Sequence, residues 1–519
     1  MPGNGANSAR LAEVVGSLAL ATDLATGQPL EHALRRTLLA LWLGEELDVP
    51  PDELNDLYYV ALLGTVGCAI EGVVFARYGK DDIALSTRVA TVDAGHSVEL
   101  AKFGLTSFGA GEPPLRRLAK VVSGALAGTG EFRAVCRDVA VRVADMIEIG
   151  PGVRQAVAQC HERWDGRGGP QGLRGEDIDL AARIFHVAHD AEIFNRIGGI
   201  DVALSVASER AGEHYDPEIA GRFHDVAELL LRRLDAEPVW DATLAAEPVP
   251  QRTLTPEDLD EITLSVATFV DCRSPYTLGH SAGVADLAER TARELRLSDD
   301  DAVALRRAGH LHDLGRVGVP VAVWNRKAPW TAEERERART HPALTELLLA
   351  RSPALGPLGS LAGLHHERLD GSGYRGVTAS FLPLAARILA AADCYRTKIE
   401  DRPHRQALSA DSAADAVAHM AGRGELDYDV VEAMLEIAGR PSMIRPREAP
   451  GGLSARELEV LRLLVRGLSN RQVAEQLFIS PKTVGHHVQH IYDKVGVSTR
   501  VGATLYAMRH GLVGDPSKT

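Results

Sequence analysis

The chain carries one text twice. HERWDGRG at 161–168 is answered by HERLDGSG at 366–373, and LAARI at 180–184 returns at 384–388. Upstream, at an offset of 248 and without gaps, Asp23 meets Asp271, Leu30 meets Leu278, His32 meets His280, Leu47 meets Leu295 and Gly67 meets Gly315. A chain that repeats itself in this way has to bury the same pattern in two similar folds. The first copy holds 43 extra residues, around 81–125, to which the sequence assigns no role. Apolar spacing in both copies is helical, as at Val284, Leu287, Ala288, Thr291 and Leu295, and alternating strand patterns are scarce. The expectation is an all-α protein.

Two stretches read as linkers: AEPVWDATLAAEPVPQ at 236–251, and the proline-rich 439–452, which ends Pro-Gly-Gly. They predict a first copy over 1–235, a linker over 236–255, a second copy over 256–438, a linker over 439–452 and a terminal segment over 453–519. That last segment holds nine Lys or Arg against five Asp or Glu, a net +4, which leaves −18 of the chain's −14 on the rest. An acidic body with a basic end fits a protein whose last segment alone meets nucleic acid. The longest apolar run, 57–70, falls short of the roughly 20 residues of a membrane span, so it reads as a buried helix. No signal peptide precedes it and the five cysteines form no CxxC pair, so a cytoplasmic protein without a membrane partner is expected.

The second copy gathers His280, His312, Asp313, His341, His365, His366 and Asp393 within about 115 residues, more metal-type side chains than core packing would place there. Imidazole and carboxylate without thiolate suit two divalent transition ions, iron, manganese or zinc, with Asp313 able to bridge them. Such a pair supplies hydroxide near neutral pH and clamps a phosphoryl oxygen.

In order, His280-Ser281, HDLG at 312–315, His341-Pro342, His365-His366-Glu367, DGSGY at 370–374, Ala392-Asp393 and DRPHR at 401–405 resemble the motifs of HD-GYP type HD phosphohydrolases, over roughly 260–435. The resemblance implies a helical domain that opens cyclic di-GMP. It places one ion on His280, His312, Asp313 and Asp393, and another on Asp313, His341, His365 and His366. It makes Asp313 and Arg316 catalytic, and gives Tyr374, Arg402 and Arg405 to the substrate phosphate. Three positions depart from the family pattern. Arg316 stands where Lys is usual, the Pro of GYP is missing because Tyr374 runs into Arg375, and Tyr276 replaces the carboxylate of three-metal members. Two ions are therefore expected, with the nucleotide left open.

The first copy has Gly64 and Thr65 where the second has His312 and Asp313, so the family's dinuclear site cannot assemble there. His32 and His161 persist, while Cys136, Cys160 and His189 stand opposite His341, His365 and Asp393. Thiols at two former ligand positions suit a softer metal; the plainer reading is a copy kept for packing, pairing or sensing.

Residues 453–512 divide into four short helices. Leu458, Leu461, Leu464 and Val465 form one apolar face, Asn470 and Ser480 are N-cap candidates, and Pro481 sits at a first helical position. QVAEQLFISPKTVGHHVQHIYDKV reads as helix, tight turn and second helix, a pair that lays its second member in the major groove. The segment closely resembles the LuxR-type helix-turn-helix. That resemblance turns Lys482, Thr483, Gly485, His486 and Gln489 toward DNA, gives phosphate contacts to Arg471, Lys482 and Lys494, and implies a homodimer on double-stranded DNA.

Two functions follow from these readings. The first is a DNA-binding transcriptional regulator whose second copy is a metal-dependent phosphodiesterase acting on a nucleotide. The alternative is a non-enzymatic regulator whose repeats only sense a nucleotide or metal.

Overall fold

The computed structural model describes residues 9–440 except Gly128, and residues 451–512 except Phe478 and Gly511. Every regular element among them is a helix. The chain forms two compact units. The larger is built from residues up to 442, and the smaller from 443 onward together with 421–423.

The helix Leu11–Ala25 is buried nearly all round, which its sequence LAEVVGSLALATDLA requires, since it has no polar face to show to water. It packs on the helices His32–Glu46 and Pro51–Leu63 of the first half, and on the turn Leu314–Gly318 and helix His341–Leu349 of the second. Ser352 Oγ donates to Glu13 Oε2 at 2.5 Å across the same junction. The two halves therefore share a core that runs from Ala9 to Leu358, and are not separate domains.

The expected linker at 236–255 is part of that core. Val239–Ala245 is a helix with Trp240 buried, Tyr59 donates to Glu247 Oε1 at 2.7 Å, and Leu254 N donates to Ala9 O at 2.8 Å. Its prolines break the helix without freeing the chain, because Val239, Trp240 and Thr243 bury themselves. Of the second expected linker, residues 441–450 lie outside the described residues. The apolar run at 57–70 is buried as expected: Pro51–Phe75 has the length and composition of a membrane span, yet 82% of its most apolar window lies inside the fold.

Local devices recur in both halves at the positions that match in sequence. Asp23 accepts from Ala33 N at 3.1 Å, and Asp271 from Ser281 N at 3.0 Å. Glu162 accepts from Gln171 N and Leu173 N at 2.7 and 3.0 Å; Glu367 accepts from Arg375 N and Val377 N, both at 2.8 Å. Gly67 lies so close to Cys136 that a Cβ would stand 1.9 Å from its carbonyl oxygen, and Gly315 so close to His341 that the distance would be 2.0 Å. No other residue fits either turn. The extra residues 81–125 form the helices Asp82–Val89, Ser97–Ser107 and Pro114–Ala127. Phe75, Leu85 and Phe103 make a small core beside them, with Tyr78, Phe108 and Phe132 packed on it.

In the smaller unit, four helices close over Leu461, Leu464, Val473, Val484, Ile491, Ala503 and Ala507, with Leu458 and Val465 partly buried on the same core. Ser454 with Glu457, and Ser469 with Gln472, form reciprocal capping boxes, and Ser480 accepts from Thr483 N. The N-cap expected at Asn470 is Ser469, because its hydroxyl is the one within reach of the N3 amide. Gly496, at φ 70°, ends the helix Pro481–Val495 in the left-handed region that favours glycine.

The buried Asp82 ties the inserted segment to the second half: it accepts from Val321 N at 2.8 Å and faces the Arg273 guanidinium at 3.7 Å. Asp82→Ala strands a buried cation and is expected to lower stability by about 3 kcal/mol, read as a lower urea midpoint with the slope unchanged.

Candidate metal centre and nucleic-acid interface

Helix ends supply most of the candidate ligands. His280 opens the helix His280–Glu294, His312 caps Asp299–Leu311 with Asp313 next to it, His341 opens His341–Leu349, and His365 and His366 follow Gly356–Ala362. Asp393 alone comes from mid-helix, in Leu384–Ile399. The structure brings all seven together.

Three of the imidazoles use one device. Nδ1 of His312, His341 and His365 lies 2.7, 2.6 and 2.7 Å from the carbonyl oxygen three residues earlier, on Gly309, Ala338 and Ala362. A carbonyl only accepts, so these partners assign the proton to Nδ1 and leave a bare lone pair on Nε2. His341 Nε2 and His365 Nε2 then face each other at 3.2 Å, and His312 Nε2 is buried without a hydrogen-bond partner. Facing lone pairs repel, and a buried acceptor left unpaired costs about 1–3 kcal/mol. A cation between them relieves both.

The carboxylates stand where such cations would sit. Asp313 Oδ1 is 3.4 Å from His341 Nε2 and 3.8 Å from His365 Nε2; Oδ2 is 3.7 Å from His312 Nε2 and 4.0 Å from His280 Nε2. Asp393 meets His280 Nε2 at 3.3 Å and His366 Nδ1 at 3.7 Å. The ligand atoms of His341, His365 and His366 lie within 4.8 Å of one another, as do those of His280, His312 and Asp313, so the donor set fits two ions sharing Asp313. Burial by itself would raise the Asp313 pKa, but Arg316, His312 and His341 hold it well below the usual carboxylate range. Burial lowers His365 to about 3, helped by His312 and His341. Burial would lower His280 too, yet its hydrogen bonds to Asp393 and Glu400 carry it to about 9.

The remaining expected residues divide. Arg316 donates to Asp313 Oδ2 at 2.8 Å and lies over the Trp324 ring, 4.2 Å from its centroid. Tyr374 lies against His366 with centroids 4.4 Å apart and the rings tilted by 39°. Arg402 sits 3.4 Å from His280 Nδ1 but is held by Tyr276 O at 2.6 Å and Glu400 at 3.1 Å. Arg405 departs from expectation. Its amino groups go to the carbonyls of Thr397, Lys398 and Glu400, so it closes the C-terminus of Leu384–Ile399 instead of facing the centre.

Sequence reasoning missed three contributors. Glu400, just before DRPHR, accepts a hydrogen bond from His280 Nδ1 at 2.7 Å and so aims Nε2 inward. Thr345 donates to His312 O at 3.0 Å and accepts from Gly315 N at 2.8 Å, which fixes the turn. Arg339, two residues before His341, covers Tyr374 at 5.1 Å. Adjacency to a motif was the only signal for Glu400 and Arg339; Thr345 had none.

In the first half a guanidinium stands between Thr65 and His189, the residues in sequence register with Asp313 and Asp393. Arg36 is fully buried, with one amino group 3.2 Å from Thr65 Oγ1 and 3.2 Å from His189 Nδ1. His32 pairs with Glu192 at 2.5 Å. Cys160 turns away from the histidines toward Ala156 O, and burial pushes its thiol up.

On the helix Pro481–Val495, Lys482, Thr483, His486 and Gln489 are exposed while Val484 and Ile491 are buried opposite them. A Cβ at Gly485 would meet nothing within 4 Å, so internal packing does not ask for glycine there. Arg471 is exposed and pairs with Glu475 at 3.3 Å. Lys494 is instead committed to the protein. Its ammonium, half-buried, lies 2.6 Å from Glu457 Oε2, a buried carboxylate in the first turn of the unit's first helix.

Comparison with known proteins agrees with this division. A family model for the HD domain matches residues 139–219 and 265–430, and one for bacterial regulatory proteins of the luxR family matches 452–507. The 3'3'-cGAMP-specific phosphodiesterase 3 of Vibrio cholerae is 31% identical over 78% of this chain and 90% of its own. The cyclic di-GMP phosphodiesterase response regulator RpfG of Xanthomonas campestris is 34% identical over 33% of this chain and 47% of its own. A crystal structure of a Vibrio cholerae cyclic GMP-AMP-specific phosphodiesterase superposes with a TM-score of 0.57 at 26% identity, over 85% of this chain and 99% of that one.

Two outcomes are expected of the centre. Glu400→Gln should weaken metal binding by about 10- to 100-fold, read by competition with a chelator. Loading metal-free protein with manganese(II) at pH 7 should release about one proton from His280, followed with an indicator in weak buffer. His280 is protonated below about 9, so release should vanish as the pH rises through that value. Equal release at pH 7 and pH 10 would remove His280 from the ligand set.

Proposed function

The chain belongs to the HD-domain family in its HD-GYP form, a family of metal-dependent phosphohydrolases, and ends in a luxR-family domain; on that premise we propose a DNA-binding transcriptional regulator whose second half opens a phosphodiester of a cyclic dinucleotide. The observation that carries this reading is the convergence of bare Nε2 lone pairs on a buried, ionised Asp313. We assign one ion to His280, His312, Asp313 and Asp393, and the other to Asp313, His341, His365 and His366. When bound, the ions would supply hydroxide and polarise a phosphoryl oxygen.

The protein's own groups do the rest. The backbone-locked imidazoles keep their lone pairs aimed without rotating, so no reorganisation is needed when substrate arrives. Arg316, held flat between Asp313 and Trp324, can pair with a phosphate bidentately, as Lys cannot. Tyr374 and Arg339 form an aromatic and cationic wall beside His366, suited to stack a base and screen a phosphate. The relative that spans most of this chain is named for 3'3'-cGAMP and others for cyclic di-GMP, so both belong in the assay.

The recurrence of the capped helices, the glycine turns and the Glu-braced loop supports reading the first half as a second, degenerate copy of the HD fold. In the terminal unit, Val501, Leu505 and Met508 leave one exposed apolar stripe on the helix Arg500–Arg509, which supports a homodimer through that face. A double-stranded DNA partner supports a cytoplasmic location.

One observation favours the sensor reading. Arg316 occupies one lone pair of Asp313 Oδ2, so an ion at that oxygen would have to share it with the guanidinium. The deciding measurement is turnover of a cyclic dinucleotide panel by manganese- or iron-loaded protein. Activity present in the wild type and absent from His312→Ala/Asp313→Ala is expected; a fully loaded protein that binds a nucleotide and never turns it over would leave the sensor.

For the DNA-binding unit, Lys482→Ala should weaken binding to all sequences alike and reduce the salt slope by about 1, while Gln489→Ala should cost about 1–3 kcal/mol and relax one base position. Light scattering should find dimers that Leu505→Glu converts to monomers.

A further inference from the structure

We propose that the first half binds a metal ion of its own, a thiophilic divalent cation of the zinc class, between Cys68 Sγ, Cys136 Sγ and His161 Nε2. The three ligand atoms lie within 4.8 Å of one another, and Cys68 Sγ is 3.5 Å from His161 Nε2. A tetrahedral zinc-class ion holds a sulfur and a nitrogen ligand about 3.6 Å apart. The residues already stand at coordination spacing.

Each ligand is fixed by a feature that predates any ion. Cys136 is held by Gly67, whose missing side chain lets the turn rest on the Cys136 carbonyl. Cys68 follows directly and opens the helix Cys68–Phe75. His161 heads the loop that Glu162 braces through Gln171 N and Leu173 N. In sequence register Cys136 and His161 stand opposite the ligands His341 and His366, while Cys68 stands opposite Arg316, so two ligands keep former positions and the third is new. The buried Arg36 guanidinium bonds Thr65 and His189 where a second ion would need ligands.

The donors choose the ion. Two thiolates and an imidazole exclude magnesium, calcium and manganese, which take oxygen ligands, and favour zinc or its softer neighbours. Cys160, the other thiol suggested by sequence, does not take part. Three protein ligands leave a fourth position for water or another donor. Cys68 and His161 line a largely apolar cavity of about 760 Å³, walled by Phe75, Phe103 and Phe132 and partly built from the inserted segment. That cavity is where the fourth donor would come from.

The test uses the full chain loaded with cobalt(II). The wild type should gain one equivalent of thiolate-to-cobalt charge-transfer absorption in the near ultraviolet. His312→Ala/Asp313→Ala should keep it, since that pair belongs to the other half. Cys136→Ser should lose it, and Cys160→Ser, equally buried, should retain it. If Cys136→Ser does not fold, the wild type still decides: bound zinc should slow alkylation of Cys68 and Cys136 by about tenfold or more while leaving the exposed Cys272 unchanged. No thiolate band in the wild type, the same band in folded Cys136→Ser, or a Cys68–Cys136 disulfide in freshly purified protein would each overturn the assignment.

Discussion

Lone pairs that face one another in a dry interior need a positive charge between them, and the larger unit is arranged around that demand. Three imidazoles spend their Nδ1 protons on carbonyls three residues back, so the helix ends themselves decide that Nε2 points inward and bare. Gly315 permits the turn that brings Asp313 among them, and Thr345 ties that turn to His312. Remove the cation and the arrangement is electrostatically frustrated. Supply it and every member of the cluster is satisfied.

The first half meets a similar demand with a different cation. Arg36, buried and with its pKa lowered by burial only to about 10, still carries its charge at pH 7 and takes Ala61 O, Thr65 and His189 as acceptors. A fixed guanidinium cannot be exchanged or make hydroxide, so the space beside Thr65 and His189 offers no room for the ions of the other half. Because the helix Leu11–Ala25 and the Asp82–Arg273 contact run between the halves, a change in either is felt across one core.

Much of this was legible in the sequence. The helical class and the four terminal helices rest on local spacing, and the HD and luxR segments on motif order, both of which survive folding unchanged. The readings that the structure revised concern side chains whose partners lie outside the segment that was read. Lys494 looked free for phosphate until Glu457, 37 residues away, took its ammonium. Arg405 looked like a substrate contact, but the end of the preceding helix presents it with the carbonyls of Thr397, Lys398 and Glu400. Residues 236–255 had a linker's prolines, but Trp240 found a place in the core.

By itself the sequence determined which residues have the chemistry to hold hard ions and which segment has the periodicity and basic charge to meet DNA, because both depend on residue type and short-range spacing. Only the tertiary structure decided how each cation is spent. Arg36 goes to His189 and Lys494 to Glu457, and among the thiols it is Cys68, not Cys160, that comes within reach of Cys136 and His161. The reason is physical: a charge or a lone pair commits itself to whichever partner packing brings within about 3 Å, and that distance is set by helices brought together from far apart in the chain.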